Sequence, residues 1–210
     1  MNSLISLVEN MKNSPIKQVI DSRMQEFSDL GKKPDNEIFK ELCFCFLTAN
    51  FSASGGIKIQ KEIGDGFSSM SEQELAQKLK VLGHRFPNAR ARFIFQAQRH
   101  KDNIKQILDS FSDEKTARNW IVKNIKGIGM KEASHFLRNI GCKNVAIIDF
   151  HIIDLLAKHD LIEPLISKSL TEKKYLEIEN ILEKLAKATN TSLGELDLYL
   201  WYEETGKVLK

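Results

Sequence analysis

Apolar residues recur three and four positions apart along most of this chain, and no stretch alternates with the period of two that a strand requires. That rhythm predicts an all-α fold. Its punctuation supplies the boundaries. Leu4, Ile5, Leu7, Val8 and Met11 set a first helix over 2–12. Ser14 and Pro15 read as N-cap and first residue of a second helix, which runs to Gly31. Asp35 is placed to cap a third, and Phe39 to Phe46 is apolar almost all round, as a central core helix would be. Ser52 to Gly56 reads as a loop into a helix ending near Ile63, and Gly64-Asp65-Gly66 ends it. Ser71 with Glu74 forms a capping box for a helix through Leu82. Further helices are expected from Asn88, over 103–111, over 114–123, from Asp149 to about His159, from Thr171 to about Ala188, and from Ser192 to about Glu204, with a turn around Pro164.

One break differs from the rest. In Ile125-Lys126-Gly127-Ile128-Gly129-Met130-Lys131, two glycines flank Ile128, and a helical pattern starts at about Met130. Glycine takes positive φ and lets another backbone come close, so this reads as a tight hairpin between helices. Ala133, Phe136, Leu137 and Ile140 share a face, and Gly141 stands where a C-terminal glycine belongs. The first amides of that helix lack partners, and with the positive end of the dipole they form an anion site suited to a phosphate. Lys131 lies in that first turn. The dipole disfavours a cation there and so favours the neutral amine that a nucleophilic lysine needs. A solvated helix lysine is the ordinary alternative. Asp149 follows the apolar run Ala146-Ile147-Ile148, where it is suited to cap the next helix, to face Lys131, or both.

Gly127-Ile128-Gly129-Met130-Lys131, a helix, and then Asp149 resemble the helix-hairpin-helix (HhH-GPD) DNA glycosylase superfamily. The diagnostic core is about residues 118 to 155, with the motif itself at about 118–141. Lys126 stands where many members have proline, and the loop before Asp149 has none. The resemblance implies two helical lobes flanking a DNA-binding cleft: 31–142 ending in the hairpin, and 1–30 with 143–210, forming a single unit. It makes Lys131 the nucleophile and Asp149 the catalytic acid of a glycosylase that also nicks the strand. It also implies a monovalent cation on the backbone carbonyls of Lys123, Ile125 and Ile128. Small size, the Trp201 region, a terminal lysine and the absence of iron–sulfur cysteines resemble the second, mostly archaeal clade of 8-oxoguanine DNA glycosylase/AP lyases. Two rivals stay open: a glycosylase for another oxidised base, and a non-enzymatic hairpin module that only binds DNA.

Charge fits a DNA partner through its distribution. The formal net charge is only +3, but Leu75 to Lys101 holds no acid and carries seven basic residues. Arg85, Arg90 and Arg92 in that window, with Gly127, Ile128 and Gly129, are the candidate backbone contacts; a solvated helix face is the alternative. Candidates for a base pocket are Phe86, His135, Trp201 and Lys210, though each has a plainer alternative as core or as a frayed end. His151 reads as structural. No His, Cys and acid cluster has ligand spacing, so neither a catalytic metal nor a cofactor is expected. Cys43, Cys45 and Cys142 form no C-x-x-C pair, which with the lack of a signal peptide or membrane span predicts a reduced, cytoplasmic monomer.

Overall fold

The structure is a computed structural model that describes residues 1–165 and 170–210. Among those residues it is all helical, with thirteen α-helices, one 3₁₀ turn and no strand. The turn expected around Pro164 borders 166–169, which lie outside the described residues.

The early helices α1 (Asn2–Lys12), α2 (Ile16–Gly31) and α3 (Asp35–Thr48) fall where periodicity put them, but two caps do not. Ser14 turns its hydroxyl back to donate to the Met11 carbonyl at 2.8 Å and accepts the Ile16 N–H at 3.4 Å, so it chiefly closes α1, and the N-cap position of α2 falls to Pro15. Asp35 is the first residue of α3, and its Oδ1 accepts the Lys105 N–H at 2.8 Å. That amide belongs to α8 (Ile104–Asp109), so Asp35 caps a helix remote in sequence. Helix α4 (Ala53–Ile63) begins earlier than expected. Ser52 caps it, and Gly55 and Gly56 lie inside it. The short helix α5 (Gly66–Ser69) follows, and α6 (Glu72–Val81) has the Ser71–Glu74 capping box. Helix α7 (Pro87–Ala97) starts on its proline and precedes a 3₁₀ turn, Gln98–His100.

Two apolar clusters fill the interior. One joins α3 through α7 to α9 (Glu114–Asn124), α10 (Met130–Asn139) and Val145. The other joins α1 and α2 to Ala146, Ile148, α11 (Phe150–Lys158), α12 (Glu172–Ala188) and α13 (Leu193–Thr205). They meet at α10, which packs against α2, α3 and α9. The chain passes from one cluster to the other between Val145 and Ala146, just before Asp149.

Candidate active site

The hairpin is set by one glycine. Gly127 has φ 92°, a conformation that L side chains rarely adopt. A Cβ there would lie 2.5 Å from the Phe93 ring, so the loop rests directly on α7. Gly129 is extended instead, with φ −97° and ψ −174°, and serves as the N-cap of α10. The first bond of α10 runs from Ala133 N–H to the Gly129 carbonyl at 2.9 Å, which leaves the amides of Met130, Lys131 and Glu132 without a helical acceptor. Lys131 is partly exposed, its Nζ 3.2 Å from Glu132 Oε1.

Helix α10 ends in a Schellman pair. Gly141 N–H donates to Arg138 O and Cys142 N–H to Leu137 O, both at 3.0 Å, with Gly141 at φ 99°. The chain then crosses the buried run Val145 to Ile148 and reaches Asp149. Asp149 caps α11, its Oδ1 accepting the Ile152 N–H at 3.0 Å.

A buried polar network fixes that run. The Tyr175 hydroxyl donates to the Ala146 carbonyl at 2.6 Å and accepts from the Ile148 N–H at 3.3 Å. Glu179 accepts the Ala146 N–H at 2.9 Å and takes both Arg118 Nη groups, at 2.5 and 2.9 Å. Ser134 of α10 joins both, 3.3 Å from Arg118 and from Tyr175. Burial pushes the Glu179 carboxyl up, but its bonds from Arg118 and Ala146 outweigh that and hold it down, as an ionised partner. The network therefore sets α10, which carries Lys131, against the segment that carries Asp149.

Asp197 of α13 completes this neighbourhood. Burial pushes its carboxyl up to about 6; Arg138 opposes that, Asp149 adds to it, and Lys131 opposes it. The Arg138 Nη2 lies 3.6 Å from its Oδ2. Lys131 and Asp149 thus act on the charge of one buried acid.

The pocket candidates divide. Lys210 folds back onto α3 and α4: its Nζ donates to Glu41 Oε2 at 2.7 Å and Gln60 Oε1 at 2.5 Å, and sits 4.3 Å from the Phe44 ring centroid. His135 is buried and edge-on to Phe44 at 5.7 Å, with no hydrogen-bond partner for its Nε2 among the described residues. Burial, then Arg138, Lys131 and Lys210, hold its imidazole well below its usual range, so it is neutral. Trp201 is partly exposed and meets His151 edge-on at 4.8 Å; the Phe150 ring lies 4.1 Å from that imidazole. Phe86 stands elsewhere. It is 38% exposed, with the Arg85 and Arg90 guanidinium carbons 5.0 and 5.9 Å from its ring. It belongs with the basic loop, not with His135 and Lys210.

The basic window also divides. Arg85 and Arg92 are exposed. Arg90 is not: it is buried and donates from Nη2 to the Ala49 carbonyl at 2.5 Å, so the expectation that the arginines of α7 all face outward fails for it. Arg99 and Lys101 likewise donate to the carbonyls of Asn124 and Ser68. Glu41, Asp197 and the Arg118–Tyr175–Glu179 network went unanticipated. Glu41 had a signal, being an acid inside a helix that has almost no polar face.

The family model described as 8-oxoguanine DNA glycosylase (Ogg-HhH) matches residues 20–191. The chain belongs to this family. The 8-oxoguanine DNA glycosylase/AP lyase of Methanocaldococcus jannaschii is 58% identical over 207 residues, covering 99% of each chain. That of Korarchaeum cryptofilum is 53% identical over 210 residues, covering 100% of this chain and 99% of that one. Among solved structures of this Ogg-HhH family, the M. jannaschii 8-oxoguanine glycosylase/lyase in complex with a 15mer DNA containing 8-oxoguanine superimposes with a TM-score of 0.96 at 57% identity, covering 99% of this chain and 100% of that one.

Proposed function

We propose that this chain removes 8-oxoguanine from double-stranded DNA and then cleaves the strand at the resulting abasic site. The observation that supports the reading is the placement of Lys131, in the first turn after the hairpin, and of Asp149, the cap of α11, on two segments that the Arg118–Tyr175–Glu179 network holds together. A base inside a duplex cannot be reached at its sugar, so the nucleotide is flipped out first. The open amides of α10 and the exposed Arg85 and Arg92 take phosphates, and Phe86 stands with them at the DNA surface. Gly127, Ile128 and Gly129 bring the backbone close enough for that contact. His135, Trp201 and Lys210 close the base pocket.

The unprotonated Lys131 amine attacks C1′. The glycosidic bond breaks, and its electron pair leaves with the base, which takes up a proton. Asp149 stabilises the positive charge developing on the sugar and assists the proton transfers. Opening of the C1′–O4′ bond gives an imine on Lys131. Loss of a C2′ proton then expels the 3′ phosphate with the C3′–O electron pair, which is β-elimination. A monovalent cation fits the donor set of main-chain carbonyls at Lys123, Ile125 and Ile128, where it would steady the hairpin against the phosphates. The parting of the two apolar clusters between Val145 and Ala146 supports two lobes, 31–142 and 1–30 with 143–210, on either side of the cleft. One chain supplies every named group, which supports a monomer. Three free cysteines support a reduced, cytoplasmic setting. No helix among the described residues is long and apolar enough to cross a membrane.

The test is borohydride trapping on an 8-oxoguanine duplex. A covalent adduct is expected with the native chain, and none with Lys131→Gln. An adduct of normal yield from Lys131→Gln would assign the nucleophile elsewhere.

A further inference from the structure

A buried segment outside any helix must find partners for its main-chain N–H and C=O groups, and a neighbouring strand ordinarily supplies them. Val145 to Ile148 is such a segment, and among the described residues no other main-chain group bonds to it. Side chains of α12 take the place of that strand. Glu179 accepts the Ala146 N–H. The Tyr175 hydroxyl spans two residues, donating to the Ala146 carbonyl and accepting the Ile148 N–H. Just ahead, Glu114 of α9 accepts the N–H groups of Lys143 and Asn144. The last residue held in this way, Ile148, adjoins Asp149. The choice of polar groups here is informative. Arg118 and Glu179 come from helices of the two different apolar clusters, and each side chain is only 1% exposed. Well-packed apolar residues would fill the same space at no greater cost, because a buried ion pair loses in desolvation about what it gains in attraction. Apolar contacts tolerate repacking, whereas hydrogen bonds fix distance and direction. A polar brace at the point where the chain crosses between the clusters therefore serves position more than stability.

We propose that Tyr175 is a positioning residue for the reaction: its hydroxyl holds the main chain immediately before Asp149 and thereby sets that carboxylate relative to Lys131. This rests on the reading of Lys131 and Asp149 as the reacting pair. Glu179 secures the same stretch from the other side of Ala146 and ties it to Arg118. Ser134 of α10, three residues after Lys131, lies 3.3 Å from both the Tyr175 hydroxyl and Arg118, so the helix of the nucleophile is fastened to the same oxygen. Burial pushes the Tyr175 phenol up, so it keeps the proton that it donates to Ala146. Helix α12 carries none of the groups assigned to chemistry or to DNA contact, yet the rate of the reaction depends on it. A displacement of about 1 Å at a reacting group costs on the order of 100-fold in rate, so a small slip of this segment is enough.

The test is single-turnover kinetics of Tyr175→Phe with saturating enzyme, on an 8-oxoguanine duplex and on a duplex with a ready-made abasic site. Phenylalanine keeps the ring and removes only the oxygen. Both rate constants should fall by about 10- to 100-fold, because Asp149 serves both steps, while product amplitude and affinity for the lesion duplex stay unchanged. A merely structural role predicts the reverse: a smaller folded fraction lowers the amplitude and leaves the rate constants of the folded molecules alone. That result would overturn the proposal. Asp149→Asn supplies a second readout. In that background Tyr175→Phe should slow excision by no more than about twofold, since the carboxylate being positioned is gone; losses that multiply would overturn the proposal too. If Tyr175→Phe does not fold, Ser134→Ala cuts the link from α10 to the same hydroxyl. It should lower both rate constants about threefold at full amplitude, the scale of one neutral hydrogen bond, and unchanged rate constants would count against the proposal decisively. The single variants Lys131→Gln and Asp149→Asn separate the two claims. If both excise normally, the reading of the reacting pair fails and the positioning role with it. If both are crippled but Tyr175→Phe is normal, the positioning role alone fails.

Discussion

Two ends of the site are built in opposite ways. Lys131 and Asp149 are separated by one helix and the loop that follows it, and each owes its position to that helix's own punctuation: a glycine N-cap before it and a Schellman glycine after it. Lys210 meets Glu41 across 169 residues of chain. The first arrangement closes a short loop, which the Arg118–Tyr175–Glu179 network then braces. The second exists only when the whole fold has been assembled. On the proposed reading, the chemistry of breaking the bond sits on a local element and the choice of base on a long-range contact.

The sharpest way to break that comparison is at its local end. Lys131→Gln should abolish both borohydride trapping and strand cleavage while leaving affinity for the lesion duplex nearly intact, as read by titration. Loss of lesion binding along with activity would mean that chemistry and recognition are not separable here. Asp149→Asn comes next. Asparagine caps helices about as well as aspartate, so little stability should go. Base excision should fall by about 10²- to 10³-fold, as expected for removal of one preorganised electrostatic partner. Normal excision in the folded variant would reduce Asp149 to a cap.

The same contrast between near and far explains what was legible in the sequence. The Ser71–Glu74 box is legible in the sequence, and so are the starts of the helices at Thr171 and Ser192, which prove to be their caps. The hairpin and the start of α10 were legible for the same reason. Misreadings fell where a familiar residue type serves a distant partner. Asp35 caps a helix 70 residues away in sequence. Gly55 and Gly56 looked like loop breakers, yet a Cβ on Gly56 would press to 3.1 Å from Phe44, so that glycine is there for close helix packing. The acid-free window makes Arg90 a candidate phosphate contact, but the carbonyl of Ala49 claims it. The Arg118–Tyr175–Glu179 network joins residues from three regions, and no spacing rule connects them.

Gly127→Ala attacks the hairpin through its backbone. The added methyl meets both an unfavourable φ and the Phe93 ring. Together these should cost about 3–5 kcal/mol, a drop in Tm of roughly 10 °C for a chain of this length. The abasic-site and 8-oxoguanine activities should decline together.

Asp197→Asn probes the buried acid whose charge both Asp149 and Lys131 influence. Its folded pKa is raised to about 6 from 3.8, so between those values the native state holds a proton that the unfolded chain has released. Native stability therefore falls as pH rises from about 4 to 6, by an amount on the order of 2–3 kcal/mol. Asparagine cannot titrate, so urea unfolding of the variant should lose that part of the pH dependence. An unchanged pH profile would mean that Asp197 is ionised throughout.

The smallest effect is expected on the surface that belongs to neither end. Arg85 and Arg92 are exposed, and Arg92 lies over the Phe93 ring on which the hairpin rests, its guanidinium carbon 5.5 Å from the centroid. A phosphate contact there is solvated and screened, so Arg92→Ala should weaken binding only a few-fold, equally for damaged and undamaged duplex. It should also reduce the slope of log K against log salt by about 0.9, the contribution of one neutralised phosphate. Arg90→Ala makes the control, because it carries the same charge change two residues away. Its guanidinium is spent on the Ala49 carbonyl, so the loss should appear chiefly as lower stability with little change in the salt slope. Should Arg90→Ala change the slope as much as Arg92→Ala does, the buried arginine must leave Ala49 to reach the phosphates, and the basic window acts as one surface after all.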